Sequence, residues 1–248
     1  MHRYFLNEKI GAVIELTKDQ DVFHHMLRVR RAKVGTKAEF VDVDQKLVVG
    51  ELVEAGSDSA TVKVLEELKQ KVELPVKVTL IVSPVKNDRT DWFVQKATEL
   101  GVDRIILTKM ERTVVDWGKQ QEKKLARLEK IALNAAEQSH RLKVPEIDFM
   151  AYQDAINENK DHGLVAWEES AKEGEKATLL KVAEEAKSGE RFTVLFGPEG
   201  GLSVEEIKGL AAAGFAPAGL GPRILRAETA PLYTLSALST IWELQEGM

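Results

Sequence analysis

The feature that most constrains the fold is a change of hydrophobic pattern near Pro75. C-terminal to it, short apolar runs alternate with segments whose apolar residues recur every three to four positions. The runs are VKVTLIV, RIILT, GLVAW and FTVLF. Strands that alternate with helices form a mostly parallel sheet with helices on both faces. The sequence therefore predicts an α/β domain C-terminal to Pro75.

Helix signals fall between and after these runs. Phe93, Ala97 and Leu100 share one helical face, and Gly101 supplies a stop signal. Helices are predicted over residues 88–101, 123–141, 177–187, 203–214 and 231–245.

The residues before Pro75 have a different pattern. The short runs AVIEL, AEFVDV, KLVVGELVEA and ATVKVL are bounded by Gly, Asp and Ser, which is typical of strands in a small barrel or sandwich. Between the first two runs, TKDQDVFHHMLRVRR predicts a helix with Thr17 as its N-cap. We therefore predict two domains, an all-β-like domain over residues 1–72 and an α/β domain over 73–248.

Composition excludes several classes of protein. The apolar runs are far too short to cross a bilayer, and MHRYFLNEKIG lacks the apolar core of a signal peptide. The chain has no cysteine, so it has no disulfide framework or zinc–thiolate site, and we expect a cytoplasmic protein. Its five histidines lack a spacing typical of metal ligands, so we expect no metal.

Charge is distributed unevenly along the chain. The net charge is −5, yet residues 1–33 contain seven Lys or Arg against four acidic residues. An acidic protein with a locally basic N-terminal segment fits a specific nucleic-acid contact better than a general one.

The stretch FGPEGGLSVEE is the first of three segments with chemical content. The strand ending at Phe196 runs into three glycines that flank Pro198 and Glu199, and Ser203 and Glu206 have the spacing of a capping box. Glycines let backbone amides approach a ligand closely. We expect a ligand-binding loop rather than a plain turn, although the string matches no known nucleotide-phosphate motif.

The stretch LGPRILRAETA is the second such segment. Its glycines and apolar residues suit an adenine slot, and Thr229 is a plausible N-cap with Pro231 just inside the helix. Arg226 and Glu228 then lie near the ligand. A structural salt bridge between Arg226 and Glu228 is the alternative.

The third segment is AAEQSHR, near the end of the long predicted helix. Glu137 and Arg141 are four residues apart, which favours a surface ion pair on a helix. Taken by itself, this pair is better explained as structural than as functional.

Together these strings resemble one protein family. KATELGVDRI, ERTVVDW, NAAEQSHR, FGPEGGLSVEE and LGPRILRAETA occur in this order, with RYF and HHMLRVRR near the N-terminus. In these strings the chain is similar to the 16S ribosomal RNA uridine-N3 methyltransferases, the RsmE type of the SPOUT superfamily. The resemblance covers essentially the whole chain.

The resemblance implies an α/β fold in which a PUA-like β-barrel precedes a SPOUT methyltransferase domain with a trefoil knot. It also implies that S-adenosylmethionine binds between the two glycine-containing segments. The cofactor-binding residues expected from it are Leu195, Phe196, Gly197, Pro198, Gly200, Gly201, Leu220, Gly221, Ile224, Leu225, Arg226, Thr229 and Ala230.

The implied reaction, methyl transfer to uracil N3, requires loss of the N3 proton. Arg226 is expected to steady the uracil anion or to orient the base. Glu199 is a candidate proton acceptor, and Glu137 and Glu228 are further candidates that the sequence does not rank.

The expected partners are 16S ribosomal RNA within the 30S subunit and a second copy of the chain. The residues expected to contact RNA are Arg3, Arg28, Arg30, Arg31, Glu137 and Arg141. The last predicted helix has an apolar arc wider than one core-facing stripe, which favours a two-fold dimer. The arc comprises Leu232, Tyr233, Leu235, Leu238, Ile241, Trp242 and Leu244.

Two other functions compete with this one. Another SPOUT methyltransferase, acting on a ribose 2′-hydroxyl or a different base, would share the cofactor loops. A ribosome-assembly factor without catalytic activity would bind RNA but would have no reason to retain three glycines in the loop around Pro198.

Overall fold

The computed structural model describes residues 1–167 and 178–244, which form two compact units. The first unit comprises Met1–Glu73 and Ala136–Lys143, and the second comprises Leu74–Ala135 and Val144–Met248. This division differs from the predicted domains because a short segment, Ala136–Lys143, belongs with the N-terminal residues.

A five-stranded sheet forms the body of the first unit. Its strands are β1 (Arg3–Phe5), β2 (Val13–Thr17), β3 (Lys37–Val41), β4 (Leu47–Ala55) and β5 (Ser59–Leu68), in the order β1-β3-β4-β5-β2. The β1–β3 pair is parallel and the other pairs are antiparallel. In β2, Ile14 and Leu16 are buried while their neighbours are exposed. Side chains alternate in this way when one face of a sheet packs on the core and the other faces solvent.

The helix predicted from Thr17 is shorter and begins later. Thr17 pairs with Ser59 in the β2–β5 ladder, so its backbone is still extended. Helix α1 (Asp21–Phe23) runs directly into a π-helical turn (His24–Val29). The prediction of Thr17 as N-cap is therefore wrong, because strand pairing continues through this residue.

A six-stranded sheet forms the body of the second unit. Its strands are β6 (Lys77–Val82), β7 (Arg104–Thr108), β8 (Glu146–Met150), β9 (His162–Ala166), β10 (Arg191–Phe196) and β11 (Ala216–Ala218), in the order β11-β9-β10-β6-β7-β8. All five neighbouring pairs are parallel, which confirms the predicted parallel sheet. The strands that the pattern did not predict, β8 and β11, lie at the two edges and are partly polar or very short.

Among the described residues, six α-helices follow these strands, one after each. They are α2 (Arg89–Glu99), α3 (Gln121–Gln138), α4 (Tyr152–Asn157), α5 (Thr178–Glu185), α6 (Val204–Ala212) and α7 (Thr229–Ser239), and a π-helical turn (Thr240–Leu244) follows α7. Gly101, with a φ of 90°, lies just beyond the end of α2 as predicted. The pattern missed the short helix α4, and the predicted helical residues Ala177 and Gln245 lie outside the described residues.

Two hydrophobic clusters flank the parallel sheet. Successive strand residues enter different clusters, since Leu80 and Ile105 belong to one and Ile81 and Ile106 to the other. Side chains alternate between the faces of a strand, so a strand buried on both faces reads as a continuous apolar run. This explains why the runs in this half of the sequence are apolar throughout.

The strand order reverses beside β6. From β6 the chain passes to β7 and β8 on one side and then returns to β9, β10 and β11 on the other. Ligands of open α/β sheets bind at the carboxyl ends of the strands next to such a reversal. The carboxyl ends of β6 and β10, which are neighbours in the sheet, are therefore where a site is expected.

Candidate active site

A cavity of about 860 Å³ opens in the second unit at the carboxyl ends of β9 and β10. This volume is in the range that holds a small molecule or cofactor. The lining residues are Arg89, Arg112, Ala166, Trp167, Phe196, Gly197, Pro198, Glu199, Gly200, Gly201, Leu202, Val204, Ile207, Ile224, Leu225, Arg226, Ala227, Glu228 and Ala230.

Glycine is required in the loop after β10 for two different reasons. Gly201 has a φ of 71°, a conformation that residues with a side chain rarely adopt. A Cβ at Gly200 would lie only 3.0 Å from the Cβ of Arg112, whose guanidinium donates a hydrogen bond to the Gly200 carbonyl at 3.1 Å. The loop therefore presents bare backbone to the cavity.

The start of α6 fixes the other end of this loop. The Glu206 amide donates to Ser203 Oγ at 3.2 Å, and the Ser203 amide donates to the Glu206 carboxylate at 2.8 Å. These two bonds confirm the predicted capping box. The other oxygen of Glu206 accepts from the Glu111 amide at 2.9 Å, so the capping residue also anchors the loop after β7.

The segment before α7 forms another wall of the cavity. Ile224 is 80% exposed, so this segment presents an apolar side chain as well as charged ones. Glu228 already has helical dihedral angles, and the Thr229 amide bonds to the Arg226 carbonyl at 2.9 Å. Thr229 is thus the first helical residue, and its prediction as N-cap is wrong by one position. Pro231 is buried in the first turn, where its missing N–H is tolerated.

Arg89 connects the two carboxylates that line the described part of the cavity. Its guanidinium lies 2.6 Å from Glu199 and 3.4 Å from Glu228. Glu228 is only 8% exposed, and its Oε2 is buried without a hydrogen-bond partner. Since Glu228 pairs with Arg89, the alternative of a salt bridge between Arg226 and Glu228 is not what the structure contains. Arg226 is exposed and lines the cavity.

Most residues expected to bind a cofactor line this cavity. They are Phe196, Gly197, Pro198, Gly200, Gly201, Ile224, Leu225, Arg226 and Ala230. Leu195, Leu220, Gly221 and Thr229 are not among the lining residues. For Leu195 the reason is the alternation along β10, which places its side chain in the cluster on the other face of the sheet from Phe196.

Sequence reasoning missed several lining residues, notably Arg89, Arg112 and Trp167. Arg89 opens α2, the helix after β6, and Trp167 directly follows β9. Trp167 is the last residue of the predicted run GLVAW, so a search of the carboxyl ends of the predicted strands would have included it. Arg89 and Arg112 lie further from their strands and carry no local signal.

Two arginines expected to contact RNA are instead buried in the first unit. Arg3 is fully buried, where it pairs with Glu39 at 2.9 Å and donates to the Arg141 carbonyl at 3.1 Å. Arg141 is 3% exposed and pairs with Glu73. Because a phosphate cannot reach a buried guanidinium, Arg3 and Arg141 do not fit the expected RNA contacts.

Glu137 does not pair with Arg141 as its spacing favoured. Helix α3 ends at Gln138, and His140 has a φ of 56°, so the chain turns away before Arg141. Glu137 instead lies 3.7 Å from His2. Burial raises the pKa of Glu137 to about 7, and burial followed by the nearby Arg30 charge lowers the pKa of His2 to about 4. Between these two values both groups are neutral, so the contact is not an ion pair.

The remaining predicted RNA-contacting residues, Arg28, Arg30 and Arg31, are all exposed. They lie at the end of the π-helical turn, where Arg31 has a φ of 54°. Arg28 donates to the Ser57 carbonyl at 3.2 Å, and within the described residues none of the three pairs with a carboxylate. Their charges are therefore available to a polyanion.

The apolar arc of the last helix is mostly core. Leu232, Leu235, Leu238 and Trp242 are buried, and the Trp242 indole donates to the Ala183 carbonyl at 2.8 Å. These four residues belong to the hydrophobic cluster on this face of the sheet, so only the exposed remainder of the arc is left for a partner chain. Tyr233 and Leu244 remain exposed.

Within residues 1–167 and 178–244, no helix is long and apolar enough to span a membrane. No group of three or more His, Cys, Asp or Glu side chains in these residues is arranged to hold a metal ion.

Two family models match the chain. Residues 72–239 match an RNA methyltransferase domain, and residues 18–65 match an RNA methyltransferase PUA domain. The chain is 37% identical to the ribosomal RNA small subunit methyltransferase E of Bacillus subtilis, over 100% of this chain and 99% of that protein.

Solved structures are similar over nearly the whole chain. One is a ribosomal RNA small subunit methyltransferase E from Neisseria gonorrhoeae bound to S-adenosyl methionine, with a TM-score of 0.83, 30% identity and coverage of 98% of each chain. Another is a Legionella pneumophila protein in complex with bound cofactor SAM, with a TM-score of 0.81, 27% identity and coverage of 96% of each chain.

Proposed function

Since this chain belongs to the ribosomal RNA small subunit methyltransferase E family, we propose that it methylates N3 of one uridine in 16S ribosomal RNA. The chain is an S-adenosylmethionine-dependent methyltransferase of small-subunit ribosomal RNA. The choice of uracil N3, the 30S particle as substrate, a homodimer and a cytoplasmic location are the finer parts of the proposal.

The observation that carries the proposal is that FGPEGGLSVEE and LGPRILRAETA line one cavity. The residues present fit S-adenosylmethionine. The cavity is large enough, and Gly200 and Gly201 expose backbone where a side chain would be strained or crowded.

When bound, S-adenosylmethionine supplies an electrophilic methyl group on a positively charged sulfur. The loop after β10 and the segment before α7 hold the ligand through the residues that both line the cavity and were expected from the sequence. They are Phe196, Gly197, Pro198, Gly200, Gly201, Ile224, Leu225 and Ala230, and Arg226 takes part through its backbone alone.

Two charged side chains of the cavity have a part in the reaction. Arg226, exposed at the cavity, donates hydrogen bonds to the uracil and stabilises negative charge as N3 loses its proton. Glu199 keeps Arg89 in place through its 2.6 Å contact and adds negative charge at the cavity. The target base must be unpaired or flipped out for N3 to reach these groups.

The first unit supplies the RNA contact. Arg28, Arg30 and Arg31 are exposed without carboxylate partners among the described residues, in a chain whose net charge is −5. Phosphate contacts of this kind position a nucleic acid without reading its sequence.

Mapping the methylated nucleotide tests the proposed function. The protein is incubated with radiolabelled S-adenosylmethionine and 30S particles that lack the methyl group, and the labelled nucleotide is identified by mass spectrometry. We expect one N3-methyluridine in 16S RNA. A label on a ribose or another base would identify a different RNA methyltransferase, and cofactor binding without any transfer would identify a non-catalytic RNA binder.

A further inference from the structure

We propose that Glu228 is the group that accepts the N3 proton of the target uridine. The inference rests on the proposed function and deepens it, because the sequence left three carboxylates unranked for this role. It depends on where each of these carboxylates lies and on what already binds it.

Glu228 combines burial with a free acceptor. It lines the cavity, it is 8% exposed, and its Oε2 is buried without a hydrogen-bond partner. A buried carboxylate oxygen without a donor is energetically unfavourable, so a native structure that retains one needs a reason. A ligand that brings an N–H donor into the cavity supplies that reason.

The other two candidates lack this combination. Glu199 also lines the cavity, but its side chain is 36% exposed and in direct contact with Arg89 at 2.6 Å. Its carboxylate is therefore already engaged by the guanidinium and open to water. Glu137 belongs to the first unit and is not among the lining residues.

Arg89 is the positioning residue for Glu228. Its Nη1 lies 3.4 Å from Glu228 Oε1, while Oε2 is left unbound. This contact is longer than the one to Glu199, so it orients the carboxylate without fully satisfying it. The arrangement orients the carboxylate and leaves Oε2 without a donor.

In the transfer, two bonds break and two bonds form. N3 of neutral uracil carries a proton, and its electron pair is delocalised into two carbonyl groups. The N3–H bond breaks as its proton passes to Glu228 Oε2, and the released electron pair forms the new bond from N3 to the methyl carbon. The bond from that carbon to sulfur breaks, and its electron pair returns to sulfur, which becomes a neutral thioether.

Glu228→Gln tests the assignment, because glutamine keeps the size of the side chain but cannot accept the proton. The affinity for S-adenosylmethionine, measured by calorimetry, is expected to stay within a few-fold of wild type. The affinity for 30S particles, measured by filter binding, is expected to do the same. The single-turnover methylation rate near neutral pH is expected to fall by about 10²- to 10⁴-fold. Glu205→Gln, an exposed glutamate in α6, is the matched control and is expected to keep the wild-type rate.

The pH profile separates a proton acceptor from a structural residue. Without Glu228, the reaction depends on prior ionisation of N3, so the rate of the variant should rise about tenfold per pH unit and approach wild type at alkaline pH. Substrate RNA containing 5-fluorouridine, whose N3–H is more acidic, should restore much of the lost rate to Glu228→Gln and little to any other variant.

Several outcomes would overturn the assignment. One is a Glu228→Gln variant whose pH profile runs parallel to wild type and which 5-fluorouridine does not rescue. If Glu228→Gln does not fold, Glu228→Asp replaces it; a profile with the wild-type shape at a reduced rate supports the proposal, and a continuous log-linear rise contradicts it. Wild-type protein that methylates no uridine N3 would instead disprove the proposed function.

Discussion

At the scale of single residues, Arg89 is the connection on which the charged part of the cavity depends. It contacts Glu199 and Glu228 and is itself 31% exposed. Ion pairs this open to solvent contribute little to the free energy of unfolding. The value of this network therefore lies in the orientation of two carboxylates rather than in stability.

Arg226→Ala is expected to separate base binding from cofactor binding. Its exposed guanidinium has no carboxylate partner among the described residues, so its loss should leave folding and S-adenosylmethionine affinity nearly unchanged. The single-turnover methylation rate at saturating cofactor and RNA should fall by about 10²-fold, the loss typical of one charge-stabilising donor. Wild-type rates in this variant would mean that Arg226 has no part in the reaction.

Glu137 makes stability depend on pH. Its pKa is raised to about 7, so the stabilisation it provides is complete below its ordinary value of 4.5 and is lost as pH rises through 7. Glu137→Gln should therefore gain melting temperature relative to wild type between about pH 5 and pH 8. Scanning calorimetry of both proteins at pH 5 and at pH 8 measures this gain. Glu129→Gln, at an exposed position of the same helix, should show no such gain; equal behaviour of both variants would refute the prediction.

At the scale of elements, the two loops of the cavity lead into helices of which only one is capped by a side chain. The loop after β10 ends in a capping box formed by Ser203 and Glu206, which the spacing of these residues predicted correctly. The segment before α7 ends in Glu228, whose side chain makes no capping bond. A carboxylate that is not used as a cap remains free to face the cavity, and local sequence rules for helix starts do not anticipate this use.

Gly201→Val should weaken cofactor binding beyond its effect on stability. Both Gly201 and Gly189 have positive φ, 71° and 88°, and a Cβ at either would meet nothing within 4 Å. Valine at either site should lower stability by about 1–3 kcal/mol through backbone strain. Gly201 lines the cavity and Gly189 does not, so calorimetry should show loss of S-adenosylmethionine affinity in the first variant alone. Equal affinities in the two folded variants would exclude the loop from the site.

The end of the π-helical turn should govern the electrostatic part of RNA binding. Replacing Arg28, Arg30 and Arg31 one at a time with alanine should weaken binding to 30S particles. Each lost phosphate contact should reduce the slope of log affinity against log salt concentration by about one unit. Arg191→Ala, an exposed arginine of the second unit, should leave the slope unchanged. Unchanged slopes in all three arginine variants would place the RNA contact elsewhere.

At the scale of the whole molecule, the last helix must satisfy its own core before it can serve an interface. Its buried leucines and Trp242 belong to the cluster that includes Phe192 and Leu179. Apolar residues that look surplus on a helical wheel are used up when a helix packs against both a sheet and a neighbouring helix. The trefoil knot and the homodimer stay predictions.

The dimer is expected to use the exposed side of the last helix. Sedimentation equilibrium at micromolar concentration should give about twice the chain mass of 27.6 kDa. Tyr233 is 44% exposed, so Tyr233→Glu should shift the mass toward the monomer by placing like charges across a two-fold axis.

Leu180→Glu, at a similarly exposed apolar site on α5, is the control and should remain dimeric. Leu238→Glu should unfold the chain because Leu238 is fully buried. A wild-type mass near 27.6 kDa would contradict the dimer.

The sequence by itself determined the features that depend on neighbours along the chain. The apolar runs located four of the six strands of the parallel sheet, the spacing of Ser203 and Glu206 located a helix start, and clustered glycines located the loop at Gly201. Periodicity, capping and backbone dihedral angles are set within a few residues, so they can be inferred without the fold.

Only the tertiary structure decided which charges are buried and which meet. Arg3 and Arg226 are indistinguishable as side chains, yet one is fully buried beside Glu39 and the other is exposed at a cavity. Arg89 and Glu228 are 139 residues apart in the sequence and 3.4 Å apart in space. Burial and long-range pairing depend on how distant segments pack, and no local pattern of residues contains that information.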